Sequence, residues 1–463
     1  VGSEMCIRDR SMFLPLFLLL SQSVLWESRV GGSADDSYRC LLVSHDGYIY
    51  AAGLTFSYGA YDDIYLVKLT LDGDTVFTRH YGGGVNKKYA NAIIEMPDGD
   101  LILGGKGGSP TQFFIMRVSP NGDSLWAKGV GDSGDLNYIY GMSTTQDGGF
   151  IATGSSGRND VYVVKTDSLG NLEWDRYYER TDTSSGAGYG IYQLEDGGYI
   201  IGASEYEGVY TYIWLIRTDS SGDTLWTRNY GGNGGEAMVS MRRTSDNGFL
   251  ILGKTYAYSP NGTYDFYYIK LDSSLNTEWE RVYGTDYPDA PDDITVTPDS
   301  GYVGVGVYWY TVDNTKNGYV QRLDKNGDTL WTYIYPIDTT GFGGVDVPAD
   351  NYIYISGSIS SDPNSDALCL KLSDPSTGVD YKENPVKTYP VYYGGSVYLE
   401  SPDAFPCSIK LIDNAGRVIT SKEQFLHRGN NRISFDKELE PGVYFLHGSG
   451  AHRTFTLRFV YLL

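Results

Sequence analysis

Three regularities of the amino-acid sequence predict an all-β protein: a seven-bladed β-propeller of four-stranded blades closed by its N-terminal strand, followed by a small C-terminal β-sandwich. A unit of about fifty residues recurs along the chain, the signature of a repeat architecture. Within it a basic residue is followed nine positions later by an aromatic, at Lys68 and Phe77, Arg117 and Trp126, Lys165 and Trp174, Arg217 and Trp226, Lys270 and Trp279, Arg322 and Trp331. An Asp-led turn precedes each, at Asp46, Asp98, Asp147, Asp196, Asp246, Asp299 and Asp350, and these seven turns imply seven units.

The elements of one unit follow in order. Strand A leads into the Asp turn, and strand B carries a glycine seven positions after that Asp: Gly53, Gly105, Gly154, Gly253, Gly306 and Gly357, with Ala203 the exception. A loop leads to strand C with its basic residue. A second turn (LDGD, PNGD, SLGN, SSGD, SSLN, KNGD) then leads to strand D with its aromatic. A lone meander of this kind cannot bury both faces, so the units must pack on one another. The seventh unit has Lys371 on strand C but Asp380 nine residues on, whereas an orphan Trp26 strand (VLWESRVGG) precedes the first unit. The orphan supplies the missing strand, and the array closes into a ring without open edges. The propeller is therefore expected over residues 24–374.

Composition agrees with this reading. The 463 residues include 58 Gly and 42 Tyr with only 20% charged residues, which suits short strands and tight turns. A net charge of -22 disfavours nucleic acid or an anionic membrane surface as a partner, because phosphate binding requires the opposite sign. The four cysteines, Cys6, Cys40, Cys369 and Cys407, show no CxxC spacing, so neither zinc nor a structural disulfide is expected. No pattern calls for a metal or cofactor. A closed ring is expected as a monomer.

Residues 1–10 (VGSEMCIRDR) read as a non-native prefix. The apolar run MFLPLFLLL from Met12, followed by Ser21, Gln22 and Ser23, reads as a signal peptide over residues 11–23; it is too short to span a bilayer. Export follows as an expectation.

Loop lengths indicate the working face. A–B and C–D turns share one face, while the B–C and D–A connections share the other. From the strand B landmark to the strand C cation the spacing varies from 11 to 17 residues, the kind of variation found where binding loops sit on a rigid scaffold. The B–C loops are rich in aromatics. Tyr256, Tyr258, Tyr308, Trp309 and Tyr310 lead a candidate ligand-binding set, with Tyr58, Tyr61, Tyr206 and Tyr210 behind them. Packing between blades is the competing account of the same residues, since strand alternation points some of them inward.

Other motifs carry less. The C–D turns, such as Asp324, Asn326 and Asp328, resemble calcium loops but lack the closing Glu of an EF-hand, and hairpin turns explain them. The strand C cations read as snorkelling stems on an outer strand. His45 and His80 sit in no triad, and Asp62, Asp63, Asp292 and Asp293 read as solvated acids at loop edges, so no catalytic residue is assigned.

Past Ser373 the repeat stops. Residues 375–383 form a Pro- and Gly-containing linker, and 384–463 carry separate β signals. Asn384, Pro385 and Val386, then IKLIDNAGRVI with Asp413, Gly416 and Arg417, then LEPGVYFLHG with Pro441, Gly442 and Tyr444, and the closing TLRFVYL run in order. This segment resembles the type A C-terminal sorting domain of the type IX secretion system. The resemblance implies the secretion machinery as a partner and delivery to the extracellular space or outer-membrane surface. The W…GG…DGGY units resemble bacterial extracellular repeats of no assigned activity. Three functions remain open: a non-enzymatic module that binds a polysaccharide or envelope protein, a carbohydrate-active hydrolase or lyase with loop-borne carboxylates, and a structural or adhesive spacer.

Overall fold

In several blades a side chain that the repeat places in the middle reaches across to the next blade. The structure, a computed structural model, describes residues 24–377 apart from 60–61, 83–87, 108–111, 134–136, 159, 180–184, 209, 232–234, 257, 259–261, 286, 311–314, 336, 338 and 362–363, together with the strands between Val391 and Tyr461. The chain divides into two units, 24–377 and a C-terminal one.

The first unit is seven antiparallel four-stranded sheets in a ring. The A strands are Asp36–Val43, Tyr89–Glu95, Tyr138–Thr144, Ser185–Gln193, Glu236–Arg243, Asp289–Val296 and Thr340–Asp346, the innermost strand of each blade. In every A–B turn the residue after the leading Asp has a positive φ; glycine fills four of these positions, and Asn247, Ser300 and Asn351 the rest.

The leading Asp is more than a turn former. In blade 3, Asp147 accepts hydrogen bonds from Thr145 Oγ1 (2.6 Å) and Gly149 N (3.0 Å), and its other oxygen meets Lys165 Nζ at 2.7 Å. Lys165 also pairs with Glu173 at 2.7 Å. Blade 5 repeats the arrangement, with Lys270 2.8 Å from both Asp246 and Glu278. Burial alone would raise Asp147 and Asp246, but the hydrogen bonds from lysine, threonine and glycine N–H outweigh it and hold both near 2. In blade 6, Arg322 is fully buried between Asp299 (2.6 Å) and Asp374 (2.7 Å). The strand C cations therefore do not snorkel from an outer strand. Strand C lies between B and D, and the cations of blades 1 to 6 are buried and paired with carboxylates, because an unpaired buried charge is far costlier than a paired one.

Several of these cations also reach the next blade's C–D turn. Lys68 Nζ donates to the Pro120 carbonyl (3.1 Å), Arg117 to Ser168 (2.9 Å), and Lys371 to Leu71 (3.1 Å). The strand D aromatics add a second clasp. A Cβ at the turn glycine of the following blade would lie 2.7 Å from Trp26 at Gly73, 2.5 Å from Trp126 at Gly170 and 2.8 Å from Trp279 at Gly327. The aromatic face thus lies directly on a glycine. In blade 5 the turn carries Leu275 instead, with φ +64, and its side chain packs on Trp226.

Ring closure occurs as the sequence predicts. The strand Val24–Val30 pairs antiparallel with Asn364–Leu372, Trp26 opposite Lys371, and completes the seventh sheet. Trp26 Nε1 donates to the Leu71 carbonyl at 3.0 Å, the same acceptor that Lys371 uses. Glu27 accepts from the buried Tyr335 hydroxyl. Cys40 and Cys369 are free thiols, each pushed up to about 12, first by burial.

The C-terminal unit contains two antiparallel sheets, one of three strands and one of four. Asp413 and Tyr444 face each other across the strands Phe405–Asp413 and Gly442–Ser449, and Gly442 pairs with Tyr461. Asn384, Pro385, Gly416, Arg417 and Pro441 lie outside the described residues.

Removing Val24–Val30 is expected to lower the melting temperature sharply by opening blade 7. Trp26 is half-buried, so Trp26→Ala should cost about 2–3 kcal/mol, below the range for a fully buried tryptophan. Chemical unfolding of the full-length protein measures it. An unchanged midpoint in both variants would exclude a closed ring.

Candidate functional site

The strand B glycine has a consequence on the strand facing it. In every blade strand A carries a β-bulge opposite this position, with one extra residue on the inner strand. In five blades the carbonyl just ahead of the bulge would lie between 1.7 and 2.1 Å from a Cβ on that glycine. Only glycine fits. In blade 4 the exchange is reciprocal, Ala203 on strand B facing Gly188 on strand A.

The bulged residues are Arg39, Asn91, Tyr140, Tyr189, Val239, Asp292 and Gly343, each seven positions before its turn Asp. All seven line a central channel of about 880 Å³. Its size falls within the usual range of small-molecule and oligomer sites. Strand A begins at the D–A connection, and the bulge falls near the middle of the strand.

The ring is chemically uneven. Arg39 Cζ sits 4.7 Å above the Tyr89 ring, and one of its amino groups donates to Asn91 Oδ1 at 3.2 Å. The Asn91 amide in turn donates to the Ile139 carbonyl at 2.9 Å. A run of tyrosines continues from there: Tyr89 to Tyr138 at 6.3 Å, Tyr138 to Tyr140 at 6.2 Å, and Tyr140 to Tyr189 at 5.1 Å, all near parallel. Burial, then neighbouring tyrosines, raises the Tyr189 phenol, and burial raises Tyr140, so both stay protonated at neutral pH.

Across the channel the acids divide into tied and free. Asp293 Oδ1 accepts from Arg242 and Ser240 Oγ, each at 2.8 Å, and Oδ2 from Val345 N at 3.2 Å. Blades 5, 6 and 7 are laced together through it. Asp346 accepts from Val43 N at 2.9 Å, carrying the lacing on to blade 1, and burial raises its carboxyl. Asp292 has no hydrogen bond or ion pair among the described residues. The residue is exposed to the channel but surrounded by its protein walls, and this desolvation, reinforced by Asp293, pushes its carboxyl up to about 7. At the turn-side end His45 Nδ1 lies 2.8 Å from Glu95.

The residues expected at the site are placed differently. Tyr206 is exposed and neighbours Tyr140 and Tyr189 at the end of the tyrosine run. Tyr256 and Trp309 come together around Tyr264, at 5.0 and 6.4 Å, with Lys316 4.5 Å above Trp309. Tyr258 packs near Tyr267 (5.6 Å), Tyr308 near Tyr287 (6.2 Å) and Tyr210 near Tyr212 (6.4 Å). Tyr58 stacks on His80 at 5.0 Å. Tyr61 and the Tyr310 side chain lie outside the described residues. None of the seven described side chains is among the residues lining the channel. Asp62 and Asp63 are buried beside the D–A connections, Asp293 is buried on strand A, and Asp292 is exposed to the channel from strand A rather than at a loop edge. The signal that would have found the ring was the strand B glycine, whose missing Cβ announces a bulge on its neighbour.

No family model and no curated protein matches this chain. Several solved structures resemble it at low identity. A polysaccharide lyase of family PL25, an ulvan lyase, superposes with TM-score 0.48 at 12% identity, covering 74% of this chain and 95% of that one. The BP39L lectin from Burkholderia pseudomallei gives 0.48 at 8%, covering 73% and 98%. Sqt1 from Chaetomium thermophilum gives 0.44 at 12%, covering 76% and 98%. These likenesses extend to the fold alone.

A raised carboxyl opposes folding once it ionises. The wild type should therefore lose stability as pH rises from about 4 through about 7, and Asp292→Asn should remove that loss. Melts of the two proteins between pH 4 and 8 should diverge upward in favour of the variant and run parallel above about 7. Parallel curves throughout would place the carboxyl at an ordinary value.

Proposed function

We propose that this protein is an exported carbohydrate-binding propeller that takes part of a sugar chain into the loop-side mouth of its channel. The observation that carries the reading is the bulge ring: guanidinium, amide, two phenols and a carboxyl converge on one cavity, set in place by the backbone of their own strands. Sugars offer hydroxyl edges and C–H faces together, and this ring offers hydrogen-bonding groups beside aromatic walls. The chemistry favours binding over hydrolysis. Paired-carboxylate cleavage needs two available acids, whereas among the described channel residues Asp293, Asp346 and Glu95 are bound and Asp292 alone has no hydrogen bond.

A panel of poly- and oligosaccharides presented to the full chain tests this. At least one saccharide should bind, and Tyr189→Ala and Asn91→Ala should each weaken it by about tenfold, ~1.4 kcal/mol. Absence of any saccharide binding, or unchanged affinity in both variants, would refute the proposal.

For delivery, we infer type IX export from the resemblance of residues 384–463 to its sorting domains. In a host with that pathway, the full chain should become accessible to external protease, and a chain lacking Asn384–Leu463 should remain in the periplasm. Equal accessibility of the two would remove the sorting role.

A further inference from the structure

Six blades place a side chain at the bulge of strand A, and the seventh places none. The fold does not demand glycine there. Gly343 is outside the left-handed region, and a Cβ added to it would come no closer than 3.3 Å, to the Tyr38 carbonyl, so a neighbour would yield by a few tenths of an ångström. The adjacent Gly344 is different, since its Cβ would lie 2.8 Å from Ser356 Oγ and 2.9 Å from Leu41 N. Packing explains Gly344 and leaves Gly343 unexplained. The series of ring side chains therefore has one gap, where bare backbone of blade 7 lines the channel close to the blade 1 backbone at Tyr38 and Arg39.

The two blades flanking this gap carry opposite charges. Arg39 stands on blade 1 and Asp292 on blade 6. Neither makes an ion pair among the described residues, although the channel's other guanidinium, Arg242, is paired with Asp293 at 2.8 Å. Arg39 is nonetheless held in place by the Tyr89 face and the Asn91 amide, with donors left over. A positioned guanidinium with spare donors and no carboxylate partner is suited to an anionic oxygen group, which it binds in a fork.

We propose that the gap above Gly343 is a subsite for a sugar ring bearing a carboxylate or sulfate, the anionic group pairing with Arg39 and a ring hydroxyl bonding Asp292. The proposal rests on the carbohydrate reading and specifies its ligand class. The protein's net charge of -22 does not forbid it, because the local balance differs from the global one. Around Asp292, the charge of Asp293 is met by Arg242, Asp346 accepts two backbone N–H groups, and Lys254 and Arg39 add positive charge. With Asp292 protonated below about 7, the mouth keeps the uncompensated charge of Arg39; above that pH the carboxylate forms and repels the ligand.

Calorimetry on the full chain with galacturonate hexasaccharide, a sulfated galactan hexasaccharide and neutral galactohexaose tests the assignment. At least one anionic sugar should bind ten-fold or more tighter than the neutral one, and the comparison of uronate with sulfate identifies which group is read. Arg39→Gln should erase that preference, and Gly343→Val should abolish anionic binding while Leu225→Ala, on the exposed outer strand of blade 4 away from the channel, leaves it unchanged. Asp292→Asn should bind at pH 8 as the wild type does at pH 6. Should Gly343→Val fail to melt cooperatively, Gly343→Ser and Arg39→Gln carry the test. Equal affinity for neutral and anionic sugars, or wild-type binding by a folded Gly343 variant, overturns this subsite alone. No binding of any sugar overturns the carbohydrate reading together with it.

Discussion

The buried strand C cation is the constraint on which the ring depends. A charge in the interior of a blade has to be met, and here the partners come from the blade's own A–B turn and, for Lys68, Arg117 and Lys371, from a carbonyl in the next blade's C–D turn. One side chain therefore fixes a turn and reaches across a junction at once. The repeat cannot drift in register without stranding that charge, which explains why the nine-residue spacing to the aromatic is constant while the B–C loops vary. Lys371 is the exception in chemistry. It lies 3.9 Å from the Tyr352 ring centre, and Asp350 accepts from the Tyr354 hydroxyl instead.

Much of this was legible in the sequence, and for one reason: tight turns and buried charges leave fixed spacings. The seven Asp turns and the closing Trp26 strand follow from such spacings, and the sheet order agrees. The site was less legible. Aromatics in variable loops drew attention because they are conspicuous, yet Tyr58 and Tyr258 rest on neighbouring rings, and the channel lining comes from strand positions with no common residue type. A ring made of Arg, Asn, Tyr, Tyr, Val, Asp and Gly shares only its distance from the turn. Asp293, read as a solvated acid, is a channel-wall clasp because the residue facing it one blade back is Arg242, a proximity that only the closed ring creates.

The bulge separates two demands that usually compete. Ladder pairing and blade packing are met by the residues on either side of it, whereas the extra residue faces the channel and is paired with nothing on strand B. A sevenfold backbone can thus display an uneven set of groups. Lacing by Asp293 and Asp346 joins blades 5, 6, 7 and 1, so the wall beside the gap is cross-connected by carboxylates.

Closure by the first strand has a consequence in time. Trp26 finds its partner Lys371 only after nearly all of the propeller has been synthesised, and the contact spans most of the unit's length. Pairings of such wide sequence separation form late and slowly, because the loop entropy must be overcome before any contact compensates it. The chain emerging from a ribosome consequently lacks its final strand pairing until its end appears, and the last blade is completed by its beginning.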